Sequence, residues 1–477
     1  MGSSIPESNR GRSSSFVELA AVFLQAGALP FGSILSATDI RSVFEKHDGM
    51  FGGSVYTTAT VLWAFLGQVL QDGKMAACQA AVSSISSFQL LRRLAVPSPD
   101  TGDYCRARAK LKEDALHELA TTVSQGAEDQ AEDAWLFHSR HAKLIDGLTF
   151  VMPDTPKNQA VYPQQKGQAA GCGFPIARCV AVISLATACV MDLAIGAYSG
   201  KLTGENALLR QLLGCFKPRD IAVMDRYYCS YMMIALLLNQ QVDVCCTKHH
   251  ARKKSDFRRG KRLGKYDHLI IWQRPQRPDW MDEATYETIP KELVLREIRY
   301  SVTEPGFRTK RLTVITSLTD PCQHSKESIA ELYRFRWNVE LDIRSIKSNL
   351  NLDRVRCKSP EMVRRELWTT LLAYNLIRTT AASAAAVHQC EPRRISFTST
   401  CQAIAANWMV ISSPFTIADI VHQITQTILK QIQACRVADR PGRIEPRKVK
   451  MRPKRYHYMT KPRRGLQALI REGKLEQ

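Results

Sequence analysis

One stretch limits what this chain can fold into more than any other: Glu331 to Leu352, ELYRFRWNVELDIRSIKSNLNL. Leu332, Phe335, Val339, Ile343, Ile346 and Leu350 recur at helical spacing, which predicts a single amphipathic helix with one side on a core. A second stripe lies beside the first. At about 100° per residue, Tyr333, Arg336, Glu340 and Lys347 fall within an arc of roughly 60°, and Arg344 joins that face. Asp342 falls on the other side. Spaced ion pairs would account for such a stripe. A lone carboxylate among three cations and a phenol also suits a metal-binding group held beside a phosphate backbone.

The charge of the whole chain favours the second account. Its 477 residues carry 66 Lys and Arg against 45 Asp and Glu, a formal net charge of +21. That excess calls for a polyanionic partner, nucleic acid or an acidic membrane surface. The longest mostly apolar run, Cys179 to Met191, is too short to span a bilayer and is flanked by Arg178 and Asp192, so no membrane partner is expected. The first fifteen residues, MGSSIPESNRGRSSS, lack an apolar signal core and read as a disordered tail. The 14 cysteines include no CxxC pair, which points to reduced thiols in a cytoplasm rather than to zinc.

Taken in order, residues 16–135 read as a helical domain, with helices expected at Phe16 to Leu29, Val55 to Leu70, Ser84 to Ala95 and Gly102 to Leu111. The PSPDT turn at Pro97 to Thr101 joins the last two into a helix-turn-helix-like unit. Arg106, Arg108, Lys110 and Lys112 make its final segment basic, as DNA recognition would need, although a helical bundle with ordinary surface charge gives the same pattern. From Leu144 the pattern becomes extended. LIDGLTFVMPD reads as a strand carrying Asp146, and Arg178 to Ala188 and Cys189 to Tyr198 as two more. DIAVMD, ending at Asp225, and Val242 to Thr247 read as buried strands alternating with helices at 204–214 and 230–239. Residues 251–324 interrupt this pattern with a basic loop, ARKKSDFRRGKRLGK, then strand-like runs at His268 to Gln273, Leu293 to Val302 and Leu312 to Ser317. So dense a positive charge repels itself unless an anion is near. The second part of the core spans 325–385, C-terminal helices 386–438, and a basic tail 439–477. Its Pro-rich stretch from Arg440 to Gly465 should be extended.

Asp146 lies inside an apolar strand, where an isolated charge is costly unless it binds something. Asp225 ends another. With Glu340 they make three carboxylates, enough for hard Mg²⁺, which keeps several waters of its own. Two such ions, roughly 3.5–4 Å apart, clamp the attacking and leaving oxygens in phosphodiester chemistry. Asp154, in PDTP, reads instead as a turn residue.

Tyr333, Arg336, Glu340 and Lys347, spaced as a Y-R-E-K signature, resemble the DDE transposases of the insertion-sequence-four family. The PSPDTGDYCRAR stretch and the DRY at Asp225 to Tyr227 fit as well, while DGL at Asp146 to Leu148 departs from the family's DG[ST]. The resemblance implies an α/β fold with a ribonuclease H-like core and a β-rich insertion. Asp146, Asp225 and Glu340 become catalytic metal ligands for two Mg²⁺ ions, with Mn²⁺ as a substitute. Tyr333, Arg336 and Lys347, joined by Arg226 and Arg344, become phosphate contacts. The implied partners are double-stranded DNA, as transposon ends and target, and a second copy in the DNA complex, in a bacterial cytoplasm. Some relatives hold a flipped base on a tryptophan of the insertion. Trp272 and Trp280 are the candidates, although RLTVITS, the strand nearest the helix, has none. A ribonuclease H-like nuclease that only hydrolyses, or a non-catalytic DNA-binding descendant, stays open as an alternative.

Overall fold

The computed structural model describes residues 37–411, 418–437 and 458–474, apart from 92, 253 and 303–310. The expected tail at 1–15 and helix at 16–29 lie outside them, as does the basic stretch 438–457. The chain forms two compact units. One comprises residues 1–129, 349–351 and 364–436, the other 130–348, 352–363 and 437–477.

The first unit begins with α1 (Ala37–Lys46), α2 (Thr58–Val69), α3 (Cys78–Leu91), α4 (Gly102–Arg108) and α5 (Glu113–Asp129). Helix α2, TATVLWAFLGQV, carries no charge and is buried on nearly every side. Thr57 stops it from running further back: its hydroxyl accepts from the Thr60 amide. One basic residue expected on the surface of α4 turns inward. Arg108 lies over the Phe65 ring, 4.7 Å from its centroid, and donates to Gln68 Oε1 at 2.9 Å. Gln68 also accepts from the Tyr104 hydroxyl, so a buried polar hub ties α2 to α4.

The second unit is built on one sheet. Its strands are β1 (Ala142–Val151), β2 (Ile176–Ser184), β3 (Val190–Ala197), β4 (Ile221–Met224), β5 (Asp243–Thr247), β6 (Lys261–Gly264), β7 (Asp267–Gln273), β8 (Glu292–Ser301) and β9 (Arg311–Thr316). They lie in the order β3-β2-β1-β4-β5-β9-β8-β7-β6. Among the described strand pairs, β1 with β4 and β4 with β5 are parallel and the others antiparallel. The helices between strands are α6 (Pro156–Val161), α7 (Glu205–Gln211), α8 (Tyr231–Asn239) and α9 (Glu283–Thr288). Ile145, Val180, Val182, Ala222, Met224 and Val244 of the sheet share one core with Leu208, Leu209, Met233, Ile234 and Leu237 from α7 and α8. Both strands that lead to a candidate carboxylate are therefore packed, as their apolar runs require. Lys143 on β1 is buried too, paired with Asp220 at 2.6 Å just before β4.

The expected β-rich insertion is a continuation of this sheet, because β9 pairs with β5 in register Cys245↔Thr316. Part of the basic loop is also strand. β6, KRLG, pairs with β7 despite its charge, since an edge strand with exposed lysine and arginine still satisfies its backbone on one side.

The single helix expected over Glu331 to Leu352 is two: α10 (Lys326–Phe335) and α11 (Asn338–Asn349). At the joint, Arg336 N donates to Tyr333 O, Trp337 N to Arg334 O, Val339 N to Arg336 O and Glu340 N to Trp337 O. These three-residue bonds tighten the backbone and interrupt the α ladder. The chain continues through α12 (Pro360–Val387), α13 (Phe397–Ile411) and α14 (Ala418–Ala434) to α15 (Arg463–Arg471). The extended reading of the tail is thus corrected at its end. Pro462 sits at the N-cap, and Arg463–Arg471 are helical.

Candidate active site

Asp146 is the fifth of the ten residues of β1, a strand that pairs with β2 on one side and, through Leu144↔Val223, with β4 on the other. Asp225 follows the last residue of β4, and its Oδ1 accepts from the Tyr227 amide at 2.7 Å. Glu340 stands in the first turn of α11. Arg336, at the joint between α10 and α11, connects two of the three. Its guanidinium donates to Asp146 Oδ2 at 3.4 Å and to Glu340 Oε1 at 2.9 Å.

Burial pushes Asp146 up to about 6. The Gly147 amide and Arg336 pull the other way, and the negative charges of Asp225 and Glu340 add to the rise. Asp146 therefore feels both other carboxylates, although Asp146 and Glu340 come from segments 194 positions apart. Burial also disfavours the Arg336 charge, but Tyr333, Glu340 and Asp146 around it hold its pKa above the ordinary value. Arg336 thus stays a cation among carboxylates. Among the described residues no three His, Cys, Asp or Glu side chains close around one point where a metal would sit. The donor chemistry nevertheless suits a hard divalent ion: three carboxylates, one of them desolvated, with a fixed positive group already between two.

The other expected site residues are spread differently. Tyr333 is buried at 7% exposure; its hydroxyl meets that of Thr247 on β5, and burial drives its pKa up. It does not share an open face with Glu340, which is partly exposed in the first turn of α11. Arg344 is exposed and Lys347 half-buried on α11, and Arg226 is exposed beside Asp225. Trp272 and Trp280 are each covered by a guanidinium, Arg252 at 3.4 Å and Arg210 at 3.8 Å from the ring centroids.

Two further residues belong to this site and were not singled out from the sequence. Tyr228 is fully buried and its hydroxyl donates to Glu205 Oε2 at 3.3 Å. Burial raises the Tyr228 pKa, and Glu205, Asp146 and Asp225 all push it the same way. The only signal in the sequence was the glycine after Asp146, whose reason is tertiary.

Comparison with known proteins bears directly on this carboxylate site. A family model described as the transposase DDE domain matches residues 139–376, which include all three carboxylates and Arg336. The chain carries a transposase DDE domain. It is 29% identical over 331 residues, 67% of its length and 70% of the relative's, to transposase InsG for insertion sequence element IS4 of Escherichia coli (strain K12). It is 41% identical to the transposase for insertion sequence element IS421 of Escherichia coli, over 64 residues that make up 17% of that relative. Among solved structures, a cryo-EM structure of piggyBac transposase in a synaptic complex with hairpin DNA aligns over 88% of both chains, at a TM-score of 0.42 and 10% identity. That likeness is too distant to carry a conclusion. The sequence relatives place this transposase with those of insertion sequences. No helix among its described residues is long and apolar enough to cross a membrane.

Proposed function

We propose that this transposase binds the terminal inverted repeats of its insertion sequence, cleaves the DNA ends and joins the freed 3′-hydroxyls to target DNA. The observation that carries the reading is that Asp146 and Glu340 share one cation, Arg336, while the charge of Asp225 acts on the same Asp146 carboxylate. Asp146, Asp225 and Glu340 would hold two Mg²⁺ ions, or Mn²⁺ in their place, and bound there the ions activate a water or 3′-hydroxyl and offset charge on the leaving oxygen. The strand order β3-β2-β1-β4-β5, antiparallel and then parallel, supports a ribonuclease H-like core.

The chain's own side chains do the positioning. A phosphate entering beside Arg336 competes with two carboxylates for its guanidinium, which is suited to bidentate oxygen pairs. Arg226, Arg344 and Lys347 supply further phosphate contacts, which fix register without reading sequence. Tyr333 acts from within, by holding α10 on β5 through Thr247. The helical unit containing α1 to α5 is the candidate for recognising the ends, and two copies would pair two ends, in a bacterial cytoplasm.

The test is purified protein, a labelled terminal-repeat duplex, a target plasmid and Mg²⁺. End cleavage followed by a joined product is expected. Cleavage without joining would favour a nuclease that only hydrolyses. Binding without cleavage would remove the catalytic reading.

A further inference from the structure

The three carboxylates do not account for the contacts around α7. Glu205 opens this helix, with Gly204 at the N-cap. An acidic residue in a first turn needs no more explanation than the helix dipole. Its carboxylate, however, reaches across to β1. A Cβ built on Gly147 would lie 2.6 Å from Glu205 Cδ and 2.7 Å from Oε1. The carboxylate rests on bare backbone, one residue from Asp146, where no other amino acid would fit without displacement.

The same first turn grips the other aspartate's segment at two points. Glu205 Oε2 accepts from the buried Tyr228 hydroxyl, and Asn206 Nδ2 donates to Tyr227 O at 3.0 Å. Tyr227 N in turn holds Asp225. The sheet does not do this work. Pairing of β4 with β1 ends at Val223, and with β5 at Met224, so Asp225 stands beyond the last ladder bond.

We propose that the first turn of α7, Glu205 and Asn206 seated on Gly147, is a brace that sets the position of Asp225 relative to Asp146. Glu205 is a positioning residue, acting through Tyr228 and the Gly147 backbone. The glycine after Asp146 is there to admit it. The inference rests on Asp146 and Asp225 being the reacting carboxylates of the proposed function.

The experiment compares Glu205→Ala, Glu205→Gln, Gly147→Ala and the double variant Gly147→Ala/Glu205→Ala with wild type and Asp225→Asn. End binding, thermal midpoint, cleavage rate against Mg²⁺, and Mn²⁺ binding to the complex with an uncleavable phosphorothioate end are measured on each. Glu205→Ala should slow cleavage roughly 10- to 100-fold, as a small misplacement of reacting groups does. It should raise the Mg²⁺ midpoint and weaken Mn²⁺ binding, with end binding unchanged. Glu205→Gln keeps the size and an acceptor for Tyr228, and should stay near wild type. Gly147→Ala should be slow, and the double variant faster than Gly147→Ala alone, because the clash is relieved. Should Gly147→Ala not fold, the two Glu205 variants decide. A wild-type Mg²⁺ midpoint in Glu205→Ala overturns the brace. So does a Glu205→Gln as inactive as Asp225→Asn, which would make Glu205 itself catalytic. If Asp225→Asn still cuts, the underlying assignment of the site fails, whatever the Glu205 variants do.

Discussion

At the scale of single residues, the site is a set of charges that cost free energy apart and offset one another together. Asp225 illustrates the chemistry. Asp225→Asn keeps the shape and the bond from Tyr227, but an amide is a poor Mg²⁺ ligand. Cleavage should fall by several orders of magnitude while end binding stays nearly intact; retained Mg²⁺-dependent cleavage would remove Asp225 from the site. Asp146 illustrates the electrostatics. Its folded pKa of about 6 lies above the ordinary 3.8, so between those values the folded protein holds a proton that the unfolded chain releases. Stability must then fall as pH rises from about 4 to about 6, by roughly 3 kcal/mol at most. In EDTA, Asp146→Asn should lack this fall and be the more stable protein above pH 6. Parallel urea midpoints for the two proteins across that range would sink the argument.

At the scale of elements, what the sequence discloses depends on whether the cause is local. The strand carrying Asp146 and the one that ends just before Asp225 were legible because apolar runs have few other outcomes, and both lie where expected. The joint between α10 and α11 was not, because no glycine or proline marks it and the apolar period runs straight through. Strand β6 was hidden by its charge. The inward turn of Arg108 and the seat of Glu205 on Gly147 were hidden because both depend on partners far along the chain. The joint also changes how the Y-R-E-K residues divide their work. Lys347 lies about 10 Å along α11 from Glu340, two turns on at about 1.5 Å per residue. That distance suits a phosphate some way from the cut. Lys347→Ala should slow cleavage of the specific end about tenfold, with unchanged Mg²⁺ dependence and sequence preference. Glu340→Ala should abolish cleavage, and it should also free Arg336 from one of its two carboxylates. A Mg²⁺ titration on both variants separates the roles: a Lys347→Ala midpoint displaced as far as a ligand variant's would mean that the helix is assigned backwards.

At the scale of the whole molecule, the deciding quantity is charge. A net +21 on 477 residues repels itself, and the repulsion is relieved wherever phosphates replace counterions. Much of the excess lies after Ala438, where residues 439–477 hold 13 Lys and Arg against 4 Asp and Glu. The cations proposed as phosphate contacts at the site, Arg226, Arg336, Arg344 and Lys347, are few beside that number, and one of them is already shared between carboxylates. Most sequence-independent affinity should therefore come from outside the site. Each phosphate neutralised on duplex DNA contributes about −0.9 to the slope of log K against log salt. Truncation after Ala438 should flatten that slope by several units, weaken binding to repeat and random duplexes alike, and leave the ratio between them unchanged. Titrations of both duplexes from low to physiological salt measure all three. If the slope stays as steep without residues 439–477, the tail contributes no phosphate contacts, and the charge that binds DNA must be sought in residues 1–438.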